Sequence, residues 1–228
     1  MTQNQWDDYS SAFGHDDLIA VLSNRRYPGE GRSGRISFVR AVGLNSDNLA
    51  FPKQIHSGYV EIASRPGIVP NTDGIISPGG SIVCSIQVAD CLPVFFANTE
   101  SGTVGLVHTG WRGLVSKILP TAVNSILQIG ESLRDFSVLI GPSIQACCFE
   151  VRDDVIDQFV PAFYKKNLNN RYTVDLQKWA VHQLADSGIT RSRVTVIDKC
   201  TFCSQDEYHS YRRNRSKAGR MVAIIGWR

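Results

Sequence analysis

The most informative hydrophobic pattern in the chain is the stretch SIVCSIQVADCLPVFFANTESGTVGLVHTGWRG. Two apolar runs within it, residues 81–88 and 103–107, have the length and composition of buried strands. The first run leads into Asp90 and Cys91, and the second leads directly into His108. Side chains at strand ends are held by a rigid sheet and are well placed to meet a substrate. The pattern therefore predicts a functional site around Cys91 and His108.

The rest of the chain shows shorter strand-like and helix-like patterns. Strands are predicted at residues 18–22, 36–42, 58–64, 136–140, 193–197 and 221–227. Helices are predicted over residues 114–129, 151–163 and 176–187, with Pro120 either kinking the first helix or dividing it in two. Residues 25–35 form a Gly- and Arg-rich loop in this interpretation. We expect an α+β fold, a single domain with mixed β-sheets flanked by helices at residues 18–228, preceded by a poorly ordered leader at residues 1–17.

The composition is typical of a globular protein with a sizeable core. The 228 residues are 43% hydrophobic and 20% charged, and the net charge of +3 is too small to indicate a nucleic-acid partner. No apolar run approaches the roughly 20 residues of a membrane span, and the first residues lack a signal-peptide core. We therefore expect a cytoplasmic protein without a membrane partner, in which the six cysteines are reduced thiols.

Cys91 and His108 have a third potential partner in His56, which lies in the polar cluster QIHSG. A catalytic zinc takes three protein ligands from His, Cys or carboxylate side chains and keeps its fourth position open. Three widely spaced ligands suit such an open site. Spacing alone is also consistent with a hydrogen-bonded structural role for each histidine, and favours that role.

Seven motifs occur in order over most of residues 51–228. They are QIHSG (54–58), TDGIIS (72–77), VADCLPVFF (88–96), VHTGWRGL (107–114), IGPSIQACCFEV (140–151), CTFC (200–203) and SYRRN followed by GR (210–220). Together they resemble the laccase-domain proteins, also called the polyphenol oxidase or peptidoglycan editing factor family. The resemblance implies one zinc ion per chain, bound by His56, Cys91 and His108, with copper less favoured. It also implies phosphorolysis of adenosine, inosine or methylthioadenosine to base and ribose 1-phosphate, and adenosine deamination.

This chemistry assigns provisional roles to particular residues. Phosphorolysis requires a site for the phosphate anion, for which arginine is the natural donor, while carboxylates orient ligands and an aromatic face can stack on a purine. The residues expected to be catalytic are Cys91, His108, Asp90 and Arg112. Those expected to bind phosphate or substrate are Arg25, Asp73, Trp111, Arg212 and Arg213. A capping role fits Asp90 at least as well as a catalytic one. A packing role fits Trp111 as well as substrate binding. The expected partners are a small-molecule nucleoside and phosphate, and the oligomeric state is left open.

Three other functions fit parts of the sequence. A copper-dependent laccase is disfavoured because the chain has five histidines, no His-x-His pair and two methionines, although a Cys-His-His set would still bind copper. A hydrolase that edits peptidoglycan precursors would use Cys91 as its nucleophile beside a histidine. A nucleic-acid-binding module would rely on the five cations of residues 212–220, but Tyr208 and Tyr211 alone make a thin stacking platform. A solvated basic face or a small phosphate site is the favoured interpretation of this segment.

Overall fold

Short strands and helices follow one another along the chain. The computed structural model describes residues 4–228. The strands are β1 Trp6–Asp8, β2 Leu18–Ser23, β3 Leu49–Pro52, β4 Val60–Ile62, β5 Gly67–Val69, β6 Gly74–Ser77, β7 Val83–Val88, β8 Leu92–Asn98, β9 Val104–Thr109, β10 Phe136–Ile140, β11 Glu150–Val151, β12 Tyr164–Lys166, β13 Tyr172–Val174, β14 Val194–Val196 and β15 Met221–Trp227. The α-helices are α1 Gly31–Ala41, α2 Trp111–Val115, α3 Ile118–Gln128, α4 Asp153–Ile156, α5 Leu176–Asp186 and α6 Tyr211–Asn214.

The strands form two six-stranded sheets and one three-stranded sheet. The first sheet has the order β1-β2-β15-β7-β3-β5, and the second has the order β14-β10-β8-β9-β6-β4. Both are mixed, because β3 runs parallel to β7 and β10 runs parallel to β14, whereas β15 is antiparallel to both of its neighbours. The small sheet, β11-β13-β12, is antiparallel. The predicted α+β fold with mixed sheets flanked by helices is confirmed.

The two large sheets pack face to face, and helices cover their outer faces. Ile86 and Ala223 of the first sheet share a buried cluster with Phe95 and Leu106 of the second. Helix α1 packs on the outer face of the first sheet, and α3 and α5 pack on that of the second. Central strands are therefore buried on both faces, which explains their continuous apolar runs. None of the helices within residues 4–228 has the length and apolarity to cross a membrane.

Most of the predicted strands are present. Those predicted at residues 18–22, 81–88, 103–107, 136–140, 193–197 and 221–227 correspond to β2, β7, β9, β10, β14 and β15, and the one at 58–64 contains the shorter β4. These runs are bounded by Gly, Pro and polar residues and are rich in branched side chains, which are the features that mark strands most reliably.

Strand β8 was not predicted from the sequence. Pro93 is its second residue. A proline usually argues against a central strand, because it cannot donate a hydrogen bond to a neighbouring strand. In the structure Pro93 lies opposite His108 in the pairing of β8 with β9. The Pro93 carbonyl also accepts a hydrogen bond from the N–H of Gly141 at 2.9 Å. The proline is therefore accommodated near the start of the strand, and β8 leads directly from Cys91 into the sheet.

Residues 36–42, predicted as a strand, belong almost entirely to helix α1, which also takes the end of the loop predicted at residues 25–35. The buried residues of this segment include Arg35, Phe38 and Val39. Their spacing of three and four residues places them on one face of a helix, which packs on the first sheet. The apolar run is short enough to fit both the strand period and the helical period. The prediction of a strand at these residues was wrong.

The beginning of the described chain packs on the first sheet. Strand β1 pairs antiparallel with β2, and Phe13 is buried between the large sheets. The poorly ordered leader predicted at residues 1–17 is therefore wrong for residues 6–13, while residues 1–3 lie outside the described part of the chain. Strand β1 has three residues, which is too few for a periodic pattern to show in the sequence.

The helix predicted at residues 114–129 is divided in two, which was one of the two alternatives predicted. The division falls at Lys117, which has a left-handed backbone (φ 57°), and not at Pro120. Pro120 falls in the first turn of α3, where its missing N–H would have no helical partner. The helix predicted at residues 151–163 is wrong beyond α4, because Pro161 begins a separate 3-10 turn. Helix α5 agrees with the prediction for residues 176–187.

The packing of the two sheets predicts a large difference between two leucine substitutions. Leu106 is fully buried between the sheets, whereas Leu168 is fully exposed on a turn. We expect Leu106→Ala to lower the free energy of unfolding by about 3 kcal/mol, because it removes buried methyl groups and leaves a cavity. Leu168→Ala should change it by less than about 0.5 kcal/mol. Urea denaturation of both variants measures the difference, and equal stability would contradict the assigned core.

Candidate functional site

Three separate segments bring two histidines and a cysteine together. His56 lies in the loop between β3 and β4, Cys91 lies between β7 and β8, and His108 lies near the end of β9. Their ligand atoms are all within 4.8 Å of one another. The two imidazole rings are nearly perpendicular, with their centroids 4.8 Å apart. The structure thus gathers the three residues that the sequence had suggested as metal ligands.

The carboxylate of Asp73 organises two of these three residues. It is fully buried and accepts hydrogen bonds from the N–H groups of Ile55 (3.1 Å), His56 (3.0 Å) and Ser57 (2.6 Å), the hydroxyl of Ser57 (2.8 Å) and Nδ1 of His108 (2.8 Å). An ionised carboxylate can only accept hydrogen bonds, so Nδ1 of His108 carries the proton. The other ring nitrogen, Nε2, is then the atom available to a metal or a proton.

The electrostatics of the cluster favour the thiolate of Cys91. Burial alone would raise the pKa of Cys91, but His108 and His56 outweigh it and hold that pKa below its ordinary value. Burial alone would lower the pKa of His108, but Cys91 and Asp73 outweigh it and hold that pKa above its ordinary value. In contrast, burial raises the pKa of Cys84 to about 12. The thiolate is the form of cysteine that binds metals and attacks substrates.

Gly110 allows helix α2 to begin directly beside the cluster. A Cβ atom at this position would lie 2.9 Å from Sγ of Cys91 and 3.8 Å from the imidazole of His56. The first of these distances is shorter than real Cβ contacts allow, so a side chain would displace the sulfur. The glycine of the GWRG motif is therefore required by the close approach of the backbone to Cys91.

A cavity of about 560 Å³ opens above the three residues. This volume is in the range of small-molecule binding sites. Its walls combine aromatic surfaces, amides and cations, contributed by Trp111, Phe149, Tyr211, Gln54, Gln87, Arg112, Arg212, Arg215 and Arg220. The cavity therefore offers flat apolar surfaces together with positive charge, a combination suited to a ligand with an aromatic ring and an anionic group.

The arginines suggested by the sequence separate into two groups. Arg112 and Arg212 line the cavity, whereas Arg25 and Arg213 do not. The guanidinium of Arg213 is held by main-chain carbonyls, those of Thr201 (3.1 Å), Phe202 (2.7 Å) and Tyr208 (2.6 Å). Arg25 is exposed, and its guanidinium hydrogen-bonds the carbonyl of Gln205. The structure therefore places Arg213 in a fold-stabilising role and Arg25 away from the cavity.

The two aspartates are structural anchors. Asp73 does not line the cavity, and its oxygens are occupied by the bonds described above. Asp90 reaches the cavity wall, but its oxygens accept from the hydroxyl of Thr201 (2.7 Å), the hydroxyl of Ser210 (3.1 Å) and the N–H of Arg212 (2.6 Å). Asp90 therefore holds the segment that carries helix α6 against the turn that carries Cys91. This arrangement agrees with the capping role considered for Asp90.

Two amides and two arginines of the cavity are among the lining residues that received no site role from the sequence. Gln54 and Gln87 form a reciprocal pair, because the side chain of Gln54 both donates to and accepts from the main chain of Gln87 at 2.8 Å. Arg215 and Arg220 belong to the cation-rich segment 212–220, for which the sequence left open a nucleic-acid surface, a solvated basic face or a small phosphate site. The signal was present as charge density, but only the fold shows which guanidinium groups face the cavity.

Comparison with known proteins gives matches over nearly the whole chain. The family model described as multi-copper polyphenol oxidoreductase laccase matches residues 21–228. Purine nucleoside phosphorylase YlmD of Geobacillus stearothermophilus is 34% identical, with 93% of this chain and 81% of that protein aligned. An adenosine deaminase from an unknown prokaryotic organism is 27% identical, with 92% of this chain and 83% of that protein aligned.

Solved structures give the same result for the fold. The crystal structure of YlmD from Geobacillus stearothermophilus has a TM-score of 0.89 with this chain at 25% identity, and the match covers all of this chain and 98% of that one. The crystal structure of a Neisseria meningitidis protein has a TM-score of 0.82, also at 25% identity, and covers 98% of this chain and 99% of that one. The arrangement of sheets described above is therefore shared with known proteins of similar length.

The hydrogen bonds to Asp73 predict how its loss affects stability. Burial alone would raise the pKa of Asp73, but bonds from His108 and Ser57 outweigh it, and the folded pKa lies below the ordinary value of 3.8. The stabilising contribution is therefore present above about pH 4 and is lost as the pH falls below that value. We expect Asp73→Asn to lower the free energy of unfolding at pH 7 by about 3 kcal/mol, because an NH2 group, which cannot accept hydrogen bonds, replaces one of the two accepting oxygens.

Urea denaturation at pH 7 and at pH 3 tests this expectation, with Asp157→Asn as a control at an exposed position. The difference between wild type and Asp73→Asn should shrink at the lower pH, where the wild-type carboxylate begins to lose its contribution. An Asp73→Asn variant as stable as wild type at pH 7 would contradict the anchoring role of Asp73.

Proposed function

The chain belongs to the multi-copper polyphenol oxidoreductase laccase family, and from this membership we propose that it is an enzyme that converts purine nucleosides. Relatives named purine nucleoside phosphorylase and adenosine deaminase support the substrate class. The observation that carries the proposal is a single cavity in which the His56, Cys91 and His108 cluster lies beside four arginines. Its reactions are phosphorolysis of adenosine, inosine or methylthioadenosine, and deamination of adenosine.

The arginines of the cavity suit a phosphate anion. Arg112, Arg212, Arg215 and Arg220 line the cavity, and the one carboxylate among its lining residues, that of Asp90, is already occupied by hydrogen bonds. Guanidinium groups bind phosphate through charge-assisted hydrogen bonds and would hold it against the sugar. In phosphorolysis a phosphate oxygen forms a bond to the anomeric carbon, and the carbon–nitrogen bond breaks with its electron pair. The purine leaves with that pair and takes up a proton at nitrogen.

The aromatic residues of the cavity offer unequal surfaces to a base. The Trp111 ring has Phe159 at 5.6 Å and the guanidinium carbon of Arg112 at 4.4 Å. Phe149 has the guanidinium carbon of Arg212 at 5.2 Å. Tyr211 is 48% exposed at the cavity rim. We therefore assign Tyr211 to purine stacking and Trp111 to positioning Arg112, since stacking requires an accessible ring face.

The donor set of the cavity fits one zinc ion. Two imidazole nitrogens and one thiolate within 4.8 Å are the ligand types that zinc prefers, and three protein ligands are typical of a catalytic site with an open position. Zinc held by His56, Cys91 and His108 would supply Lewis-acid chemistry at the floor of the cavity. Asp73 would fix the ring of His108 with Nε2 toward the ion, as outer carboxylates do for metal-binding histidines.

A multicopper centre fits these residues less well. The three histidines outside the cluster lie in other surroundings: His15 packs on Trp227, His182 pairs with Asp186, and His209 lies against Gly219. The cavity thus gathers two of the five histidines of the chain. Several copper ions would require more imidazole ligands than this cluster offers.

A second candidate function follows from the order Asp73, His108, Cys91. The buried aspartate holds the histidine, and the histidine lies beside a cysteine whose pKa is lowered, which is the arrangement of a cysteine hydrolase. Such an enzyme would act on an amide or ester, as in editing of peptidoglycan precursors. Metal-free, folded protein separates the two functions: alkylation should abolish hydrolase activity, whereas restoration of nucleoside turnover by zinc supports the first proposal.

Removal of the Cys91 sulfur tests the zinc-dependent reaction. We expect Cys91→Ala to lose the zinc ion of this site, because the two remaining ligands, His56 and His108, are too few to hold a catalytic zinc. Turnover of adenosine should therefore fall at least about 1000-fold. Products from adenosine, with and without phosphate, are identified by chromatography, and zinc is measured by elemental analysis. Cys84→Ala, a substitution in the core, is the matched control. Full activity in metal-free Cys91→Ala would overturn the proposal.

The cavity arginines predict a separation of the two reactions. Arg112→Gln should raise KM for phosphate about 10-fold to 100-fold, through loss of a charge-assisted hydrogen bond. Deamination of adenosine, which uses no phosphate, should change by less than about threefold. Arg25→Gln serves as the control, because Arg25 lies outside the cavity. Steady-state kinetics with varied phosphate measures both variants, and an equal effect of the two substitutions would refute the assigned anion site.

A further inference from the structure

Four of the six cysteines form a second cluster, which none of the functions above uses. Cys147, Cys148, Cys200 and Cys203 have their sulfur atoms within 4.8 Å of one another. Sγ of Cys203 is 3.3 Å from Sγ of Cys148 and 3.8 Å from Sγ of Cys147. Four thiolates arranged as a tetrahedron around zinc, at Zn–S of about 2.3 Å, have their sulfurs about 3.8 Å apart. The cluster therefore has nearly the size that a zinc ion requires.

Main-chain hydrogen bonds hold the two cysteine-bearing segments together. Ser143 forms a parallel bridge with Cys200, and the N–H of Thr201 donates to the carbonyl of Ser143 at 3.0 Å. Within the CTFC motif, the N–H of Ser204 donates to the carbonyl of Cys200 at 2.9 Å. The turn before Cys148 is closed by a hydrogen bond from the N–H of Cys148 to the carbonyl of Gln145 at 2.9 Å. The positions of the four sulfurs are thus set by the backbone.

A cation is bound to the turn that carries two of the four cysteines. The guanidinium of Arg213 donates to the carbonyl of Thr201 at 3.1 Å and to that of Phe202 at 2.7 Å, between Cys200 and Cys203 in the chain. Four thiolates around a divalent zinc carry a net charge of −2, which this cation would partly offset.

The cluster differs from the catalytic donor set in the way that structural and catalytic zinc sites differ. It supplies four sulfur ligands, including a C-x-x-C pair, and so leaves no open position for a substrate. None of the four cysteines lines the 560 Å³ cavity. All four are free thiols, and sulfur ligands select zinc over magnesium or calcium.

We propose that Cys147, Cys148, Cys200 and Cys203 bind a second zinc ion, which has a structural role. The ion would join the segment before Phe149 to the segment that leads to Arg212, and both of these residues line the cavity. Its role is to brace that wall. This inference does not depend on the proposed reaction, because the two donor sets share no residue.

Metal content of protein purified under reducing conditions tests the second site. Wild type and Cys84→Ala should each contain about two zinc ions per chain, and Cys200→Ser/Cys203→Ser should contain about one. Cys91→Ala should also contain about one, because it retains the four-cysteine set. Two ions in Cys200→Ser/Cys203→Ser, or none in folded Cys91→Ala, would overturn the proposal. One ion in wild type that is kept in Cys91→Ala and lost in Cys200→Ser/Cys203→Ser would count against the first site only.

Cobalt(II) added to metal-free Cys91→Ala gives a second, independent measurement, which stands even where the double variant fails to fold. Four thiolate ligands should produce strong sulfur-to-cobalt charge-transfer absorption that zinc abolishes on addition. Chelation should also lower the thermal midpoint of the zinc-loaded variant by several degrees. Absence of the absorption in folded protein would refute the site. A count of two missing thiols in denaturant would show instead a disulfide, such as one between Cys148 and Cys203, and would also refute it.

Discussion

The buried carboxylate of Asp73 is the interaction on which the functional site depends. A charged group removed from water is strongly unfavourable unless its oxygens are paired, and here five donors pair them. The same residue also joins the strands, because its carbonyl accepts from the N–H of His108 at 2.8 Å and its N–H donates to the carbonyl of Tyr59 at 3.1 Å. The positions of His56 and His108 relative to each other are therefore fixed by one aspartate that never touches the cavity.

Asp90 has the corresponding role on the opposite side of Cys91. Its oxygens bind Ser210, the main chain of Arg212 and a third donor in the CTFC turn, and its carbonyl accepts from the N–H of Ile144 at 2.9 Å. It adopts a positive φ of 85°, which is unfavourable for a residue with a side chain and is compensated by these bonds. Asp73 therefore holds two of the three proposed metal donors, and Asp90 holds the main chain at Arg212, which lines the cavity.

The sequence was informative where a pattern is long and local, and uninformative where position depends on tertiary contacts. Helix α5 and strand β15 could be predicted because their apolar spacing extends over several turns or residues. Strand β8 was hidden by Pro93, and α1 by a run that satisfies two periods. In the site, the resemblance suggested all three proposed metal donors, whereas their spacing alone favoured a structural role. Composition could not distinguish Arg213, whose guanidinium is bound to main-chain carbonyls, from Arg215, which lines the cavity.

The cavity is built partly from segments without regular secondary structure, and the two cysteine-containing clusters, around Cys91 and around Cys200, differ in how the fold holds them. The proposed metal donors lie on or beside strands of the packed sheets, so the core itself fixes them. Other lining residues lie in or directly after segments 141–149 and 198–210, which contain no α-helix and no strand: Ile144 and Phe149 belong to the first segment, and Tyr211 follows the second. Ordering such segments costs conformational entropy, and they have no helix or strand hydrogen bonding to offset it. A cross-link between them would lower that cost by an amount that grows with the logarithm of the length of chain it closes, which is a physical reason for four cysteines to gather where these two segments meet.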